Sequence, residues 1–309
     1  MHSTPLPVTF HQSLNAIGLA CLGWFFFCAC DVVTKSLVQG YSAAQLLATN
    51  AIIGLALTGA IVLARHGWRA FLTPNWRWYL FRGATVIGSS FCVVNALGLI
   101  PLADFYGIIF LVPMITTLIA VVFLKEHIGP WRWGAIFAGF LGVLIIAGPS
   151  FSENSIGYLY ALAAALFAGT NALVIRKIGH EKVVTLYAFF PLLANAAFFV
   201  PLLLAGAGFE MPRTGVDWGL FILTAPLSYF GMVLYSLGFS RARDTSLVAP
   251  FHYSQMLWGV LFGLLFFDEI PGLPTVLGAM IIIGAGLLVI WREHLHHHKI
   301  ATDPGDQPA

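Results

Sequence analysis

Long apolar stretches separated by short polar connections make up most of this chain. Each is about 17 to 25 residues long, which is enough to cross about 30 Å of hydrocarbon as a helix. Strands are a poor alternative, because the stretches show no period-2 alternation and barrel strands are about half as long. The pattern predicts an all-α integral membrane protein with ten transmembrane helices, at 14–38, 43–64, 78–100, 104–124, 131–147, 156–175, 183–204, 218–239, 246–267 and 273–291.

The composition is that of a protein solvated by lipid. Of the 309 residues, 59% are hydrophobic and 9% are charged, whereas soluble domains carry about 25% charged residues. This leaves too little polar surface to cover a soluble globule of this size. The 4 cysteines all lie within predicted spans, where they act as small apolar side chains. The sequence therefore predicts neither a disulfide nor a metal site.

The basic residues predict the orientation, because Lys and Arg resist translocation across the membrane. With a cytoplasmic N-terminus, all of the 15 Lys and Arg residues except Lys35 and Arg213 fall in inner loops and their flanks. We therefore expect a multi-pass protein of the cell inner membrane with both termini cytoplasmic. Its expected partners are the lipid bilayer and a small-molecule substrate, with no nucleic acid, and the chain is expected to be a monomer or a homodimer.

The two halves of the chain resemble each other. The segment 112–142 reappears as 255–286 with one residue inserted, so that Lys125-Glu126 matches Asp268-Glu269. Upstream, Asp104 matches Asp244. A repeat with an odd number of spans inverts its second copy, as in many alternating-access transporters. We predict two inverted five-helix repeats at 1–149 and 150–295, followed by a polar cytoplasmic tail at 296–309.

This duplicated unit carries a resemblance to a known family. The other features that carry it are the end of the first span at Lys35, Pro113 ahead of Lys125-Glu126, and the two glycine ladders Gly134, Gly139, Gly142 and Gly278, Gly284, Gly286. Over roughly 14–291, the chain resembles the drug/metabolite transporter (DMT) superfamily in its ten-helix EamA-like branch. The resemblance implies a central cavity lined mainly by spans 1 to 4 and 6 to 9. The stretch 250–258 is similar to a subgroup of metabolite carriers, whereas Asn50 departs from the Arg that many relatives carry there.

Charged and polar residues within spans indicate where the cavity lies, because such residues usually face an interior or a water-filled path. Asp31 is the first candidate. Lys35 lies four residues later on the same helix face, so an Asp31–Lys35 ion pair of purely structural value is the alternative. Asn50 and Asn95 lie at a similar depth and fit either one polar cluster with Asp31 or interhelical hydrogen bonding. Asn171 in span 6 is predicted to be the counterpart of Asp31.

The densest polar and aromatic group lies in span 9. His252 and Gln255 share one helix face with Gly259, which leaves room beside it. Trp24 and Trp258 are the two mid-span tryptophans and would suit a planar or cationic group, with core packing as the alternative. The predicted substrate-binding residues are Trp24, Asp31, Asn95, Tyr106, Asn171, Tyr229, His252, Tyr253, Gln255 and Trp258, and the coupling candidates are Asp31 and His252.

These features predict a secondary carrier for a small polar or amphipathic metabolite, with efflux favoured. The alternative within this class is an uptake carrier of the adenosylmethionine or riboflavin type. A polytopic membrane enzyme would need a nucleophile and base, or metal ligands at helical spacing, and Lys125-Glu126-His127 does not supply that spacing. Glu126 and Glu269 are interpreted as caps of the helices that follow them. We expect no catalytic residue and no cofactor.

Overall fold

The computed structural model describes residues 10–125, 128–148, 151–178, 183, 185–206, 208–241 and 252–302. Within these ranges the chain is helical and contains no strand. The helices are α1 (Phe10–Val38), α2 (Ala43–His66), α3 (Trp76–Leu99), α4 (Leu102–Ile109), α5 (Val112–Leu124), α6 (Pro130–Ala147), α7 (Phe151–Ile178), α8 (Leu186–Leu204), α9 (Gly215–Arg241), α10 (Ser254–Phe267) and α11 (Leu273–Thr302), with a 3-10 turn at Trp68–Phe71. Eight segments are long and apolar enough to cross a membrane, and two shorter apolar helices complete the predicted ten spans. The predicted all-α membrane fold is confirmed.

The fourth span is broken into two helices, whereas the sequence predicted one continuous span at 104–124. α4 ends at Ile109, and α5 begins at Val112 after a turn at Phe110 and Leu111. Pro113 lies in the first turn of α5, where its missing N–H leaves no hydrogen bond unmade. The break buries the ring of Phe110, which is 1% exposed. Glu126, Asp244 and Pro250 lie outside the described residues.

Helix pairs join the first half of the chain to the second. α1 packs along α9, α2 along α8, α3 along α7, α4 against α10 and α6 along α11. If α4 and α5 are counted as span 4, these pairs are spans 1 and 8, 2 and 7, 3 and 6, 4 and 9, and 5 and 10. Replacing each span by its equivalent in the other repeat, five spans away, turns pair 1–8 into pair 3–6 and the reverse. The same replacement leaves each of the other three pairs unchanged. A two-fold axis between inverted five-span repeats requires this pattern.

Glycines from the two ladders meet between α6 and α11. A Cβ atom on Gly142 would lie 2.8 Å from the carbonyl oxygen of Gly278, so the two backbones are in direct contact there. The predicted role of the ladders in close helix packing is confirmed for this pair. Gly134 and Gly284 differ, because no heavy atom among the described residues lies within 4 Å of a Cβ built on either. They line an apolar groove between α6 and α11 together with Trp131.

The fourth span of each repeat ends with the same backbone turn. Lys125 follows α5, Asp268 follows α10, and both adopt left-handed conformations with φ of 56° and 55°. The N–H of Lys125 donates to the carbonyl oxygen of Ala120, and that of Asp268 donates to Gly263. These two residues are matched positions of the repeat. Their similarity therefore reflects a shared helix stop.

Candidate functional site

Asp31 lies where α1, α4 and α10 converge. Its carboxylate accepts a hydrogen bond from the hydroxyl of Tyr106, with 2.6 Å between the two oxygens. The Tyr106 side chain is 1% exposed. Its ring lies beside Gly259, where a Cβ atom would be 2.8 Å from the ring carbon Cε2. The room that the sequence predicted beside Gly259 is therefore filled by Tyr106, which positions its hydroxyl on Asp31.

Lys35 forms an ion pair with Glu269 instead of Asp31. Its Nζ lies 2.8 Å from Glu269 Oε1 and donates to the carbonyl oxygen of Ile100 at 2.7 Å. The other carboxylate oxygen of Glu269 accepts the backbone N–H of Leu102, the first residue of α4, at 2.9 Å. We call these four residues the Lys35 network. The Asp31–Lys35 ion pair considered from the sequence is wrong, and Glu269 caps α4 rather than the helix that follows it.

The Lys35 network leaves Asp31 without a basic partner among the described residues. Among the described residues, Tyr106 is the one hydrogen-bond donor to Asp31, and no Lys or Arg lies within ion-pair distance. An ionised carboxylate in a low-dielectric interior needs a proton, a cation or further hydrogen-bond donors. Asp31 is therefore available to a ligand or to a proton.

Asp104 is a second carboxylate within the bundle, and both of its oxygens are occupied. It is 6% exposed, and it accepts hydrogen bonds from the hydroxyls of Tyr158 and Thr275, each at 2.6 Å. These contacts join α4 to α7 and α11. In the sequence Asp104 stands out only as a repeat match, although an acidic residue within an apolar stretch needs donors nearby. The contacts of Asp104 favour a structural joint, in contrast to those of Asp31.

A cluster of aromatic rings lies nearer the N-terminus of α1, at Trp24, seven residues or about 10 Å before Asp31. The indole of Trp24 stacks on the imidazole of His252, with 4.1 Å between centroids and 12° between planes. Tyr235 on α9 meets Trp24 edge-on at 4.8 Å, and Phe110 meets His252 edge-on at 5.8 Å. We call Trp24, Phe110, Tyr235 and His252 the aromatic cluster. It draws residues from both repeats.

Two glycines hold α1 against α9 beside this cluster. A Cβ atom on Gly23 would lie 2.6 Å from the backbone nitrogen of Tyr235 and 2.9 Å from the carbonyl oxygen of Gly231. The backbones can approach this closely because neither glycine has a side chain. The approach places Trp24, the residue after Gly23, against the ring of Tyr235. Neither glycine nor Tyr235 is among the predicted site residues, since no spacing or charge in the sequence marks them.

Polar atoms in this region remain without partners. Trp24 Nε1, Gln255 Oε1 and Trp258 Nε1 are buried and make no hydrogen bond to any described residue. The Gln255 side chain is also close enough to His252 to interact with its imidazole. Buried polar atoms in folded proteins are almost always hydrogen-bonded, so each exception requires an explanation. Hydrogen bonding to a substrate would provide one.

The structure places other predicted site residues elsewhere. Asn171 accepts a hydrogen bond from Arg82 Nε at 3.0 Å, and Arg82 Nη1 also donates to the carbonyl oxygen of Tyr187 at 2.8 Å. Asn171 therefore belongs to a junction of α3, α7 and α8. Asn95 donates to the carbonyl oxygen of Phe91 in its own helix at 2.7 Å.

The remaining predicted residues are aromatic. Tyr253 packs edge-on against Phe110 at 5.0 Å, next to the aromatic cluster. Trp258 meets Phe25 edge-on at 5.1 Å. Tyr229 on α9 meets its neighbour Phe230 at 5.8 Å. The structure thus brings Trp24, Asp31, Tyr106, His252, Tyr253, Gln255 and Trp258 together around α1, α4 and α10.

The fold and this site define a class of protein. Ten spans in two inverted repeats surround a carboxylate, buried polar atoms and aromatic rings, which is the architecture of a secondary membrane transporter. The model of the EamA-like transporter family matches residues 14–148 and 155–291. The chain belongs to the EamA-like transporter family. It is therefore a multi-pass membrane transporter of the DMT superfamily that acts on small-molecule metabolites, and not an enzyme.

Relatives of known function are transporters of several metabolites. The chain is 27% identical to a pseudopaline exporter of Pseudomonas aeruginosa strain UCBPP-PA14, covering 88% of this chain and 94% of the exporter. It is 30% identical to a riboflavin transporter of Brucella anthropi, covering 78% and 86%. It is 23% identical to an S-adenosylmethionine uptake transporter of Rickettsia bellii, covering 88% and 94%. A crystal structure that is 20% identical superposes with a TM-score of 0.62, covering 91% of this chain and 97% of the other.

Proposed function

We propose that this protein is a secondary active carrier that moves a small polar or amphipathic metabolite across the inner membrane by alternating access. The substrate class includes amino-acid-derived, nucleoside-like and vitamin-like compounds. One observation carries the proposal: Asp31, held by Tyr106 between the two repeats, has no basic partner among the described residues. Within a span, such a group can contact substrate or couple transport to protons.

Contacts between the repeats support a state that is closed at the end of the bundle holding Lys35. The Lys35 network joins α1 and α4 to the loop after α10. At the same end, Tyr41 donates to Asp217 Oδ2 at 2.8 Å. Gln45 also exchanges two hydrogen bonds with the backbone of Glu210, at 2.6 and 2.9 Å. With both termini cytoplasmic this is the outer side, so opening outward requires these contacts to separate.

The proposal also covers the direction of transport and the gradient that drives it. Efflux driven by proton or substrate exchange is favoured, and the similarity to a pseudopaline exporter supports it. Uptake is the alternative, and the similarity to an S-adenosylmethionine uptake transporter supports that direction. Asp31 and His252 are the coupling candidates, because each can gain or lose a proton as its surroundings change.

Counterflow in proteoliposomes tests the proposal. Purified protein is reconstituted, and the exchange of labelled metabolites is measured across a panel of amino-acid derivatives, nucleosides and flavins. We expect Asp31→Asn and His252→Ala to lower exchange strongly. Thr170→Ala serves as a matched control, because its hydroxyl donates to the carbonyl oxygen of Leu166 in its own helix.

Two results would contradict the proposal in different ways. Exchange that is indifferent to both Asp31→Asn and His252→Ala would refute the site. Conversion of a metabolite without transmembrane movement would refute the carrier. A pH gradient imposed across the vesicles then separates proton coupling from simple exchange, since only the former responds to it.

A further inference from the structure

The stack of His252 on Trp24 has the geometry of a ligand in a binding slot. The two ring planes are 12° from parallel at 4.1 Å. By contrast, Tyr235 and Phe110 approach edge-on, at 61° to Trp24 and 84° to His252 respectively. Trp24 thus provides a flat face, and the imidazole of His252 occupies it. Tyr235 borders the indole, and Phe110 borders the imidazole.

We propose that the substrate carries a planar nitrogen heterocycle, and that this ring stacks on Trp24 in place of His252. The inference rests on the carrier function proposed above and names the class of its substrate. His252 is itself a planar nitrogen heterocycle, so the slot already accommodates a ring of this chemistry. In the empty carrier the imidazole covers the indole face, and the substrate competes with it.

The position of His252 permits this exchange. His252 and Tyr253 form a short 3-10 turn ahead of α10, which begins at Ser254. The imidazole can therefore leave Trp24 without breaking the hydrogen-bond ladder of α10. Trp24 is fixed more firmly, because it lies within α1 next to Gly23, where α1 and α9 are in backbone contact.

The polar atoms around the slot match the edge of a heterocycle. Gln255 is 5% exposed and its Oε1 has no partner among the described residues, so it can accept a ring N–H or an exocyclic amine. Trp24 Nε1 is likewise unpartnered there and can donate to a ring nitrogen or carbonyl. A polar aliphatic substrate could bond to these two atoms but would leave the indole face unused. The slot therefore discriminates by ring chemistry.

Ligand-induced thermal stabilisation of the purified full-length protein tests the inference. The probes are riboflavin and adenosine as heterocycles, with ribitol and lysine as polar compounds that lack an aromatic ring. We expect the heterocycles to raise the melting temperature and Trp24→Leu to remove the effect. His252→Ala should exchange metabolite more slowly because it lacks a coupling candidate, yet it should bind the heterocycles about 2- to 12-fold more tightly, because an aromatic pair worth about 0.5 to 1.5 kcal/mol no longer competes.

Two further variants keep the test decisive. Trp24→Phe retains a stacking ring without the indole N–H, so it should keep part of the binding even if Trp24→Leu misfolds. Trp133→Leu is the control, since Trp133 lies on α6 with its side chain exposed. Weaker heterocycle binding by His252→Ala would overturn the proposal. So would equal stabilisation by ribitol or lysine, or no stabilisation by any of the probes.

Failure of this inference can be told apart from failure of the carrier function. Counterflow of an aliphatic amino-acid derivative that is unaffected by Trp24→Leu would overturn the heterocycle assignment and leave the carrier intact. Heterocycle binding without counterflow of any metabolite would support the slot and contradict the carrier.

Discussion

Removing one partner of the buried Lys35–Glu269 ion pair should destabilise the protein more than replacing both. The side chains are 7% and 22% exposed, and their charged atoms are 2.8 Å apart. Breaking a buried pair costs about 3 to 5 kcal/mol, whereas replacing both partners with apolar or neutral residues of similar size is often nearly neutral. Here the partner that remains in each single variant keeps one hydrogen bond. Glu269 still accepts the backbone N–H of Leu102, and Lys35 still donates to the carbonyl oxygen of Ile100. We therefore expect about 3 kcal/mol, the lower end of the range, for Lys35→Met or for Glu269→Gln.

The assay is a double-mutant cycle on the purified protein. Unfolding of the wild type, the two single variants and the double variant is followed by circular dichroism against denaturant or temperature. The exposed pair Glu210–Arg213 is the matched control, because it is shorter, at 2.6 Å, but its side chains are 53% and 67% exposed. The hydrogen bond from Arg213 to Glu210 raises the pKa of Arg213. Water screens the attraction between exposed charges, however, so we expect this pair to add little stability. Single variants as stable as wild type, or equal coupling in both pairs, would refute the reasoning.

Three further predictions concern packing, the Asp31 site and orientation. Gly23→Ala should lower stability by about 1 to 3 kcal/mol and weaken transport, because its Cβ would overlap the backbone of α9. A Cβ on Gly18 meets no heavy atom of the described residues within 4 Å, so Gly18→Ala should be neutral, and thermal unfolding compares the two variants. Tyr106→Phe removes the hydrogen bond to Asp31 and should cost about 1.5 to 3 kcal/mol, measured by the same unfolding assay and by counterflow. Alkaline phosphatase fused to either terminus should be inactive and a fluorescent protein fused there should fluoresce, if both termini are cytoplasmic.

The spans could be predicted from the sequence because their length is set by the membrane. The positions of side chains around each helix could not. α1 is apolar on nearly every face, so its pattern does not indicate which side meets α4 or α9. The i, i+4 rule offered Asp31 to Lys35, but Lys35 pairs with Glu269, which is 234 residues away in the chain. Local spacing identified Asp31 and Lys35 as polar residues on one face of α1, but it did not predict their partners Tyr106 and Glu269.

The same limit explains Asn171. Its position five residues before Arg176 in span 6 made it the predicted counterpart of Asp31, and both residues do lie on the first span of a repeat. Asn171, however, accepts a hydrogen bond from Arg82, whereas Asp31 accepts one from Tyr106. Matched helices can therefore present different partners, because a two-fold axis relates backbones and leaves side chains free to differ. The residues of the candidate site are therefore identified by tertiary contacts such as Asp31–Tyr106 and Trp24–His252.

The helix pairs are symmetric but their side-chain contacts are not, and this difference affects how such a carrier would change between its two access states. Under inverted-repeat symmetry the 1–8 and 3–6 pairs are equivalent, yet the first holds Trp24 against Tyr235 and the second holds Arg82 against Asn171. Two access states interconvert readily only if their free energies differ by a few kcal/mol. Opening the bundle at the end that holds Lys35 would separate the Lys35–Glu269 pair, so contacts made only in that open state must offset the net free energy that the pair contributes. A substrate that displaces His252 from Trp24 favours that open state only to the extent that it binds there more tightly than in the closed state.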